Sequence, residues 1–165
     1  GFPVDINVYN NASTDHTLEV LEDAAKKYRV NYKTGTEHVK FDQSYANAVG
    51  MATQEWTWTF GDDDLLLNFE TVIPLLMTGI DFIHVTEKRR SNGDQDIYPG
   101  KLLDLCSSIG WIEMTGFISG NIFRTAPMMA VLNSDRFSVY GKSAFPQSLA
   151  ALDAFHDRPS FWLPL

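Results

Sequence analysis

Two short polar clusters in this 165-residue sequence carry residue types that bind metal ions and phosphates. Asp62, Asp63 and Asp64 follow an apolar stretch directly, and Asn10–Asp15 (NNASTD) follows another. Three adjacent carboxylates repel one another, by roughly 1 kcal/mol per close pair in water and more where the dielectric is lower. A divalent cation removes that penalty. Mg²⁺ or Mn²⁺ held by one or two carboxylates, with phosphate oxygens and waters completing the shell, is the usual arrangement for such hard ligands. The plainer alternative is a solvated turn or a helix cap.

The flanking segments determine where these clusters stand. Val4–Tyr9 (VDINVY) alternates and is rich in β-branched residues, so it reads as a strand. Ser13 or Asp15 can cap the helix that follows, in which Leu18, Leu21, Ala25 and Tyr28 recur on one face. Val30–Thr34 is a second strand, completing a strand–helix–strand unit. Asp42 is placed to cap a helix over Gln43–Ala52. In Glu55–Phe60 (EWTWTF), Trp56, Trp58 and Phe60 face one way and the polar residues the other.

A helix capped by Asn68 then runs to Gly79, with Pro74 predicting a kink or a short first turn. Strands are expected at Ile80–Thr86 and Phe117–Phe123, helices at Lys101–Ile109 and Pro146–Phe155, and a surface loop at Glu87–Gly100. Strands alternating with helices predict an α/β fold with a mostly parallel central sheet in a single domain over residues 1–165. In open sheets of that kind, ligands collect outside the carboxyl ends of the strands, where both polar clusters fall.

Composition narrows the function. Thirteen Lys and Arg against 21 Asp and Glu give a net charge of -8, which repels nucleic-acid backbones. Cys106 has no partner for a disulfide or a cysteine-based zinc site and reads as a small buried hydrophobe. No apolar run approaches the roughly 18 residues that span a bilayer, and no signal peptide opens the sequence. A cytoplasmic protein is expected, with peripheral contact at the membrane face. Gly35, Gly50 and Gly120 form neither a dinucleotide fingerprint nor a P-loop.

Val4–Asp15 followed by Phe41–Leu66 (FDQSYANAVGMATQEWTWTFGDDDLL) resembles the nucleotide-sugar-binding core of family 2 glycosyltransferases, which have the GT-A fold. Phe117–Thr125 (FISGNIFRT) is similar to a later segment of the abequosyltransferase and O-antigen sugar transferase subset. The likeness covers about Val4 to Arg124, leaving residues 125–165 as an acceptor-side part. It implies a GT-A-like α/β sandwich and sugar transfer from a nucleotide-diphosphate sugar to a glycan or lipid-linked acceptor, with inversion, in polysaccharide assembly.

Residue by residue, the resemblance implies nucleotide contacts at Asn10, Asn11, Asp42 and Asp62. It also implies a DxD element that holds Mg²⁺ or Mn²⁺ at Asp62, Asp63 and Asp64. Read as D-x-D, its ends are Asp62 and Asp64; in the longer register Asp63 is the principal ligand. The sequence opens at what resembles the family's second strand, so the first strand is expected to be missing.

Direct transfer also needs a base for the acceptor hydroxyl. The resemblance implies an acidic element late in the domain, where Ala144-Phe145-Pro146-Gln147 stands instead. Asp135, Asp153 and Glu113 remain candidates by sequence order alone. Two rival functions stay open: an inactive nucleotide-sugar or carbohydrate-binding domain, and a metal-dependent nucleotidyltransferase. Other conspicuous residues have structural readings. His84 is expected as a satisfied core or edge residue, His16 as exposed, and Trp56 and Trp58 as core. Trp111 or Trp162 could stack on a sugar ring, Lys88–Arg90 is a basic loop, and Arg124 is expected near a phosphate or in an ion pair.

Overall fold

The computed structural model describes residues 4–65, 69–86 and 98–164, which divide into two compact units at Gln54 and Glu55. Asn68 and Lys88–Arg90 lie outside the described residues. In the first unit, β1 (Ile6–Asn10) pairs in parallel with β2 (Val30–Thr34), from Ile6 opposite Val30 to Asn10 opposite Thr34. Between them runs α1 (Thr17–Lys27), and α2 (Phe41–Val49) follows. The cap of α1 is Asp15 in effect: its Oδ1 accepts hydrogen bonds from the Thr17 hydroxyl (2.5 Å) and the Thr17 backbone N–H (3.0 Å). Those bonds, the hydroxyl's foremost, hold the Asp15 carboxyl below the usual carboxylate range.

Two expectations for this unit change. Of the predicted α1 face only Leu21 is buried; Leu18 and Tyr28 are exposed. Asp42 does not cap α2, because the helix begins one residue earlier and the cap position is Lys40. Tyr45 and Val49 are its buried residues.

The second unit contains β3 (Trp56–Trp58), β4 (Phe82–Thr86), β5 (Tyr98–Lys101), β6 (Asn121–Arg124) and β7 (Pro159–Pro164). They form one sheet in the order β3-β6-β4-β7-β5. β4 and β7 are parallel, while β3–β6, β6–β4 and β7–β5 are antiparallel. The expected mostly parallel sheet is therefore mixed. Parallel neighbours need a crossover that returns to the same sheet end; here β6 runs back between β3 and β4, so both of its pairings reverse direction.

Helices α3 (Leu102–Ile109), α4 (Trp111–Thr115), α5 (Thr125–Leu132), α6 (Asp135–Tyr140) and α7 (Pro146–Phe155) complete this unit. The α7 range matches its sequence expectation, with Pro146 in the first turn, where its missing N–H costs nothing. The helix expected before Gly79 is instead two 3-10 turns, Phe69–Thr71 and Ile73–Met77, with Pro74 in the first turn of the second. Gly79 has φ +77°, a conformation that favours glycine and ends the segment. Pro99 and Gly100, expected in a loop, belong to β5.

Alternation along β4 packs the sheet on both faces. Ile83 joins Val72, Ile80, Ile122 and Leu163, with Trp56, Trp58 and Val85 against them. Phe82 meets Phe155 of α7 with ring centroids 5.6 Å apart, and Phe123 meets the same ring at 6.2 Å. Cys106 is buried, as its composition suggested, and burial pushes its thiol up to about 11, so it carries no thiolate at neutral pH.

Candidate functional site

The carboxylate turn is built by β3 and fastened by the segment that leads into β6. The Thr59 N–H donates to the Asn121 carbonyl (3.2 Å), and the Thr59 hydroxyl to the Ile118 carbonyl (2.8 Å). Trp58 donates its indole N–H to the Ser119 carbonyl at 2.8 Å. Ser119 then reaches into the acidic turn itself. Its hydroxyl accepts from the Gly61 N–H (2.8 Å) and donates to Asp64 Oδ2 (2.5 Å). A short hydrogen bond to a carboxylate is strong and directional, so Asp64 is held in one orientation. Asp62 and Asp63 are exposed and Asp64 is half-buried.

Gly61 leaves room for these carboxylates. A Cβ built there would stand 2.9 Å from Asp63 Oδ1, 3.1 Å from Asp64 Oδ2 and 3.4 Å from Ser119 Oγ. The lack of a side chain thus opens a small space faced by two carboxylate oxygens, a hard-oxygen donor set suited to Mg²⁺ or Mn²⁺. Among the described residues, no group of three His, Cys, Asp or Glu side chains converges as a metal cage. Any ion here takes one or two protein carboxylates and draws the remaining ligands from elsewhere.

Ser119 is the residue that sequence reasoning missed. It lies within Phe117–Phe123, which the sequence predicts as a strand. Residues Ile118–Gly120 instead form a 3-10 turn before β6. Gly120 explains why: a Cβ there would lie 2.3 Å from the Val85 carbonyl oxygen and 2.7 Å from His84 Cε1. The chain passes too close to β4 for any side chain. Gly120→Ala should therefore overpack the contact, costing about 1–3 kcal/mol. Calorimetry should show Tm lower by about 2–12 °C for a domain of this size.

Phe117, which precedes that turn, lines a cavity of about 250 Å³ together with His84, Thr86, Ile112, Glu113, Gly116 and Phe145. His84 is buried, and its Nδ1 lies 2.8 Å from Asn121 Oδ1; the Asn121 amide donates to the Thr115 carbonyl at 2.9 Å. Phe145 stacks edgewise on Trp111 at 5.5 Å, while Trp162 is buried. Gln147, in the segment where an acidic element was implied, is buried and donates to the Gly116 carbonyl (3.1 Å).

The three candidate bases separate clearly. Glu113 lines the cavity. Asp153 is held by Arg136 (2.8 Å) and Tyr140 (3.1 Å), with burial first and Asp153 second raising the Tyr140 phenol's pKa. Asp135 is exposed in the first turn of α6. Arg124 is in an ion pair: it contacts Glu55, lies 3.5 Å from Asp81 and covers the Trp56 ring at 4.3 Å.

Asn10, Asn11 and Asp42 belong to the first unit. Asn11 is a structural tie, its amide exchanging two hydrogen bonds with the Val39 backbone (2.8 and 3.0 Å). Asn10 is buried; its Oδ1 accepts from the Ser13 N–H at 3.0 Å, and its Nδ2 has no hydrogen-bond partner among the described residues. A buried donor left unpaired is costly, which makes Asn10 the polar group of this turn with spare bonding capacity. Ala12, in the same turn, has φ 55°. Asp42 is half-buried in the first turn of α2.

Comparison with known proteins supports the family resemblance but does not reach the abequosyltransferase subset. The profile described as Glycosyl transferase family 2 matches residues 2–131. Among solved structures, Staphylococcus aureus TarS 1-349 in complex with UDP aligns with a TM-score of 0.65 and 14% identity, covering 98% of this chain and 51% of that one. A second structure of Staphylococcus aureus TarS 1-349 gives 0.66 and 17%, over 97% and 51%. A longer TarS structure gives 0.66 and 14%, over 98% and 31%. The chain thus spans about half of the first two structures and about a third of the other, and they share its GT-A-like α/β fold. Comparison with curated protein sequences gave no match.

Proposed function

Since the chain belongs to glycosyl transferase family 2, we propose that it moves a sugar from a nucleotide-diphosphate donor to a glycan or lipid-linked acceptor, with inversion at the anomeric carbon. The observation that carries this reading is the Gly61–Asp64 turn, where two carboxylate oxygens face a space kept open by glycine and Ser119 fixes one of them. UDP in the related TarS structure supports a nucleoside diphosphate as the donor's leaving group.

Asp63 and Asp64 would hold Mg²⁺ or Mn²⁺, with Asp62 beside them. When bound, the ion supplies positive charge to the departing diphosphate. Asn10 would bond the nucleotide through its spare amide N–H, with Asn11 shaping the same turn and Asp42 a further contact. Burial makes Ser119 effective, because a preorganised carboxylate needs no reorientation as charge develops. No helix among the described residues is long and apolar enough to cross a membrane. A lipid-linked acceptor would therefore be met at the membrane face.

Product analysis tests the reaction class. The chain is incubated with Mn²⁺, a panel of nucleotide sugars and short saccharide acceptors, and the released nucleotide is separated by ion-pair chromatography. Nucleoside diphosphate is the expected product. Pyrophosphate would instead mark nucleotidyl transfer, and no release with any donor would mark a binding domain.

A further inference from the structure

The segment that fastens the acidic turn is itself fastened by a buried polar pair. His84 on β4 and Asn121 on β6 stand opposite each other in the antiparallel register, both almost wholly shielded from solvent. On the same face the neighbouring pair is Phe82 and Phe123, both fully buried. An apolar pair could fill the His84–Asn121 position too and would need no hydrogen bonds. A hydrogen-bonded polar pair in such a place fixes geometry, because its bonds hold in one arrangement only.

The Asn121 amide donates to the Thr115 carbonyl at 2.9 Å, which turns its Oδ1 toward the ring of His84. That oxygen can only accept, so His84 Nδ1, 2.8 Å away, carries the proton and donates it. The bond survives protonation of the ring, since the charged form also holds a proton on Nδ1. Gly120, which links Asn121 to Ser119, is pressed against the same ring. A Cβ there would stand 2.7 Å from His84 Cε1 and 3.1 Å from His84 Nδ1. On the β3 side, the Asn121 carbonyl accepts from the Thr59 N–H, two residues before Gly61.

Ser119, Gly120 and Asn121 are consecutive, so the place of the Ser119 hydroxyl follows from where His84 holds Asn121. That hydroxyl meets the Gly61 N–H at 2.8 Å and Asp64 Oδ2 at 2.5 Å. We propose that His84 is a positioning residue for the acidic turn. Through Asn121 it sets where Ser119 stands, and thereby the orientation in which Asp64 meets a divalent cation. The proposal rests on the reading of that turn as the metal site, and adds to it a residue that acts only through Asn121 and Ser119.

Asparagine and leucine at position 84 separate positioning from packing. His84→Asn places an amide N–H where Nδ1–H stands and keeps the bond to Asn121. His84→Leu fills the space and leaves Asn121 Oδ1 without its donor. Hydrogen exchange followed by NMR reads the Gly61 amide, which reports the Ser119 hydroxyl, beside the β7 amides, which report the sheet as a whole. The EPR signal of free Mn²⁺ gives the affinity for Mn²⁺ alone. In His84→Leu the Gly61 amide is expected to exchange about 10-fold faster or more, relative to the β7 amides. The Kd for Mn²⁺ should rise about 10-fold, as when a group that orients a metal ligand is removed. His84→Asn is expected to match wild type on both measures.

Three results would overturn the proposal: Gly61 exchange in His84→Leu at the wild-type rate, His84→Asn as impaired as His84→Leu, or a loss at Gly61 no larger than that across β7. Should His84→Leu not fold, His84→Gln carries the same test. Its longer side chain brings the amide to the Nε2 end of the ring's space, away from Asn121, so the loss at Gly61 is again expected. Wild type that binds no Mn²⁺ counts against the metal reading alone, since exchange at Gly61 decides whether His84 positions Ser119.

Discussion

Asp64→Asn is expected to lower the rate of nucleoside diphosphate release by about 10²–10³-fold, comparable to the removal of one preorganised group that stabilises developing charge. The substitution is conservative in shape. An asparagine can still meet the Ser119 hydroxyl, which accepts from Gly61 and donates to Asp64 at 2.5 Å, so the turn keeps its backbone course. It loses the negative charge that would hold the ion, which leaves that task to Asp63, the other carboxylate facing Gly61, with Asp62 beside it. Steady-state assays over a range of Mn²⁺ concentrations should therefore show both slower turnover and a higher metal requirement. Turnover within threefold of wild type at the same Mn²⁺ would remove Asp64 from the mechanism.

The second large effect is on stability. Phe155 ends α7, is fully buried, and stacks on both Phe82 and Phe123 of the sheet. Phe155→Ala leaves a cavity between helix and sheet and should cost about 3–5 kcal/mol. Small domains are stable by roughly 5–15 kcal/mol, so this is a large share of the total. Calorimetry should show Tm lower by about 6–20 °C. A loss under about 1 kcal/mol would mean that α7 does not pack on β4 and β6 as described. Nucleotide binding should weaken as well, because β6 begins two residues after Ser119, which holds Asp64.

Local pattern was legible where it was dense. Trp56 and Trp58 alternating with Thr57 identified β3. Strand direction was not legible. Alternating strands and helices suggested parallel neighbours, but which sheet end a connection returns to is a property of the whole chain. Strands β5 and β7 were hidden by Pro99, Pro159 and Pro164, which remove backbone donors and usually argue against a strand. In the site, the acidic turn was visible as a run of like charges. Its support was not, because Ser119 acts through a contact 55 residues away in sequence that only the Gly120 approach to β4 makes possible. Glu113 carried no local signal either; its place on the cavity wall comes from the packing of α4.

The most direct test of the donor site is thermal unfolding of the unmodified chain with UDP, GDP, CDP and dTDP, each with and without Mn²⁺. A ligand at about 100 times its Kd stabilises by roughly 2.7 kcal/mol. For a domain of this size, that is a rise in Tm of about 5–11 °C. The predicted result is such a rise with one nucleotide, dependent on Mn²⁺. Unchanged Tm with all four at saturating concentration would contradict the proposed metal–nucleotide site at Asp62–Asp64.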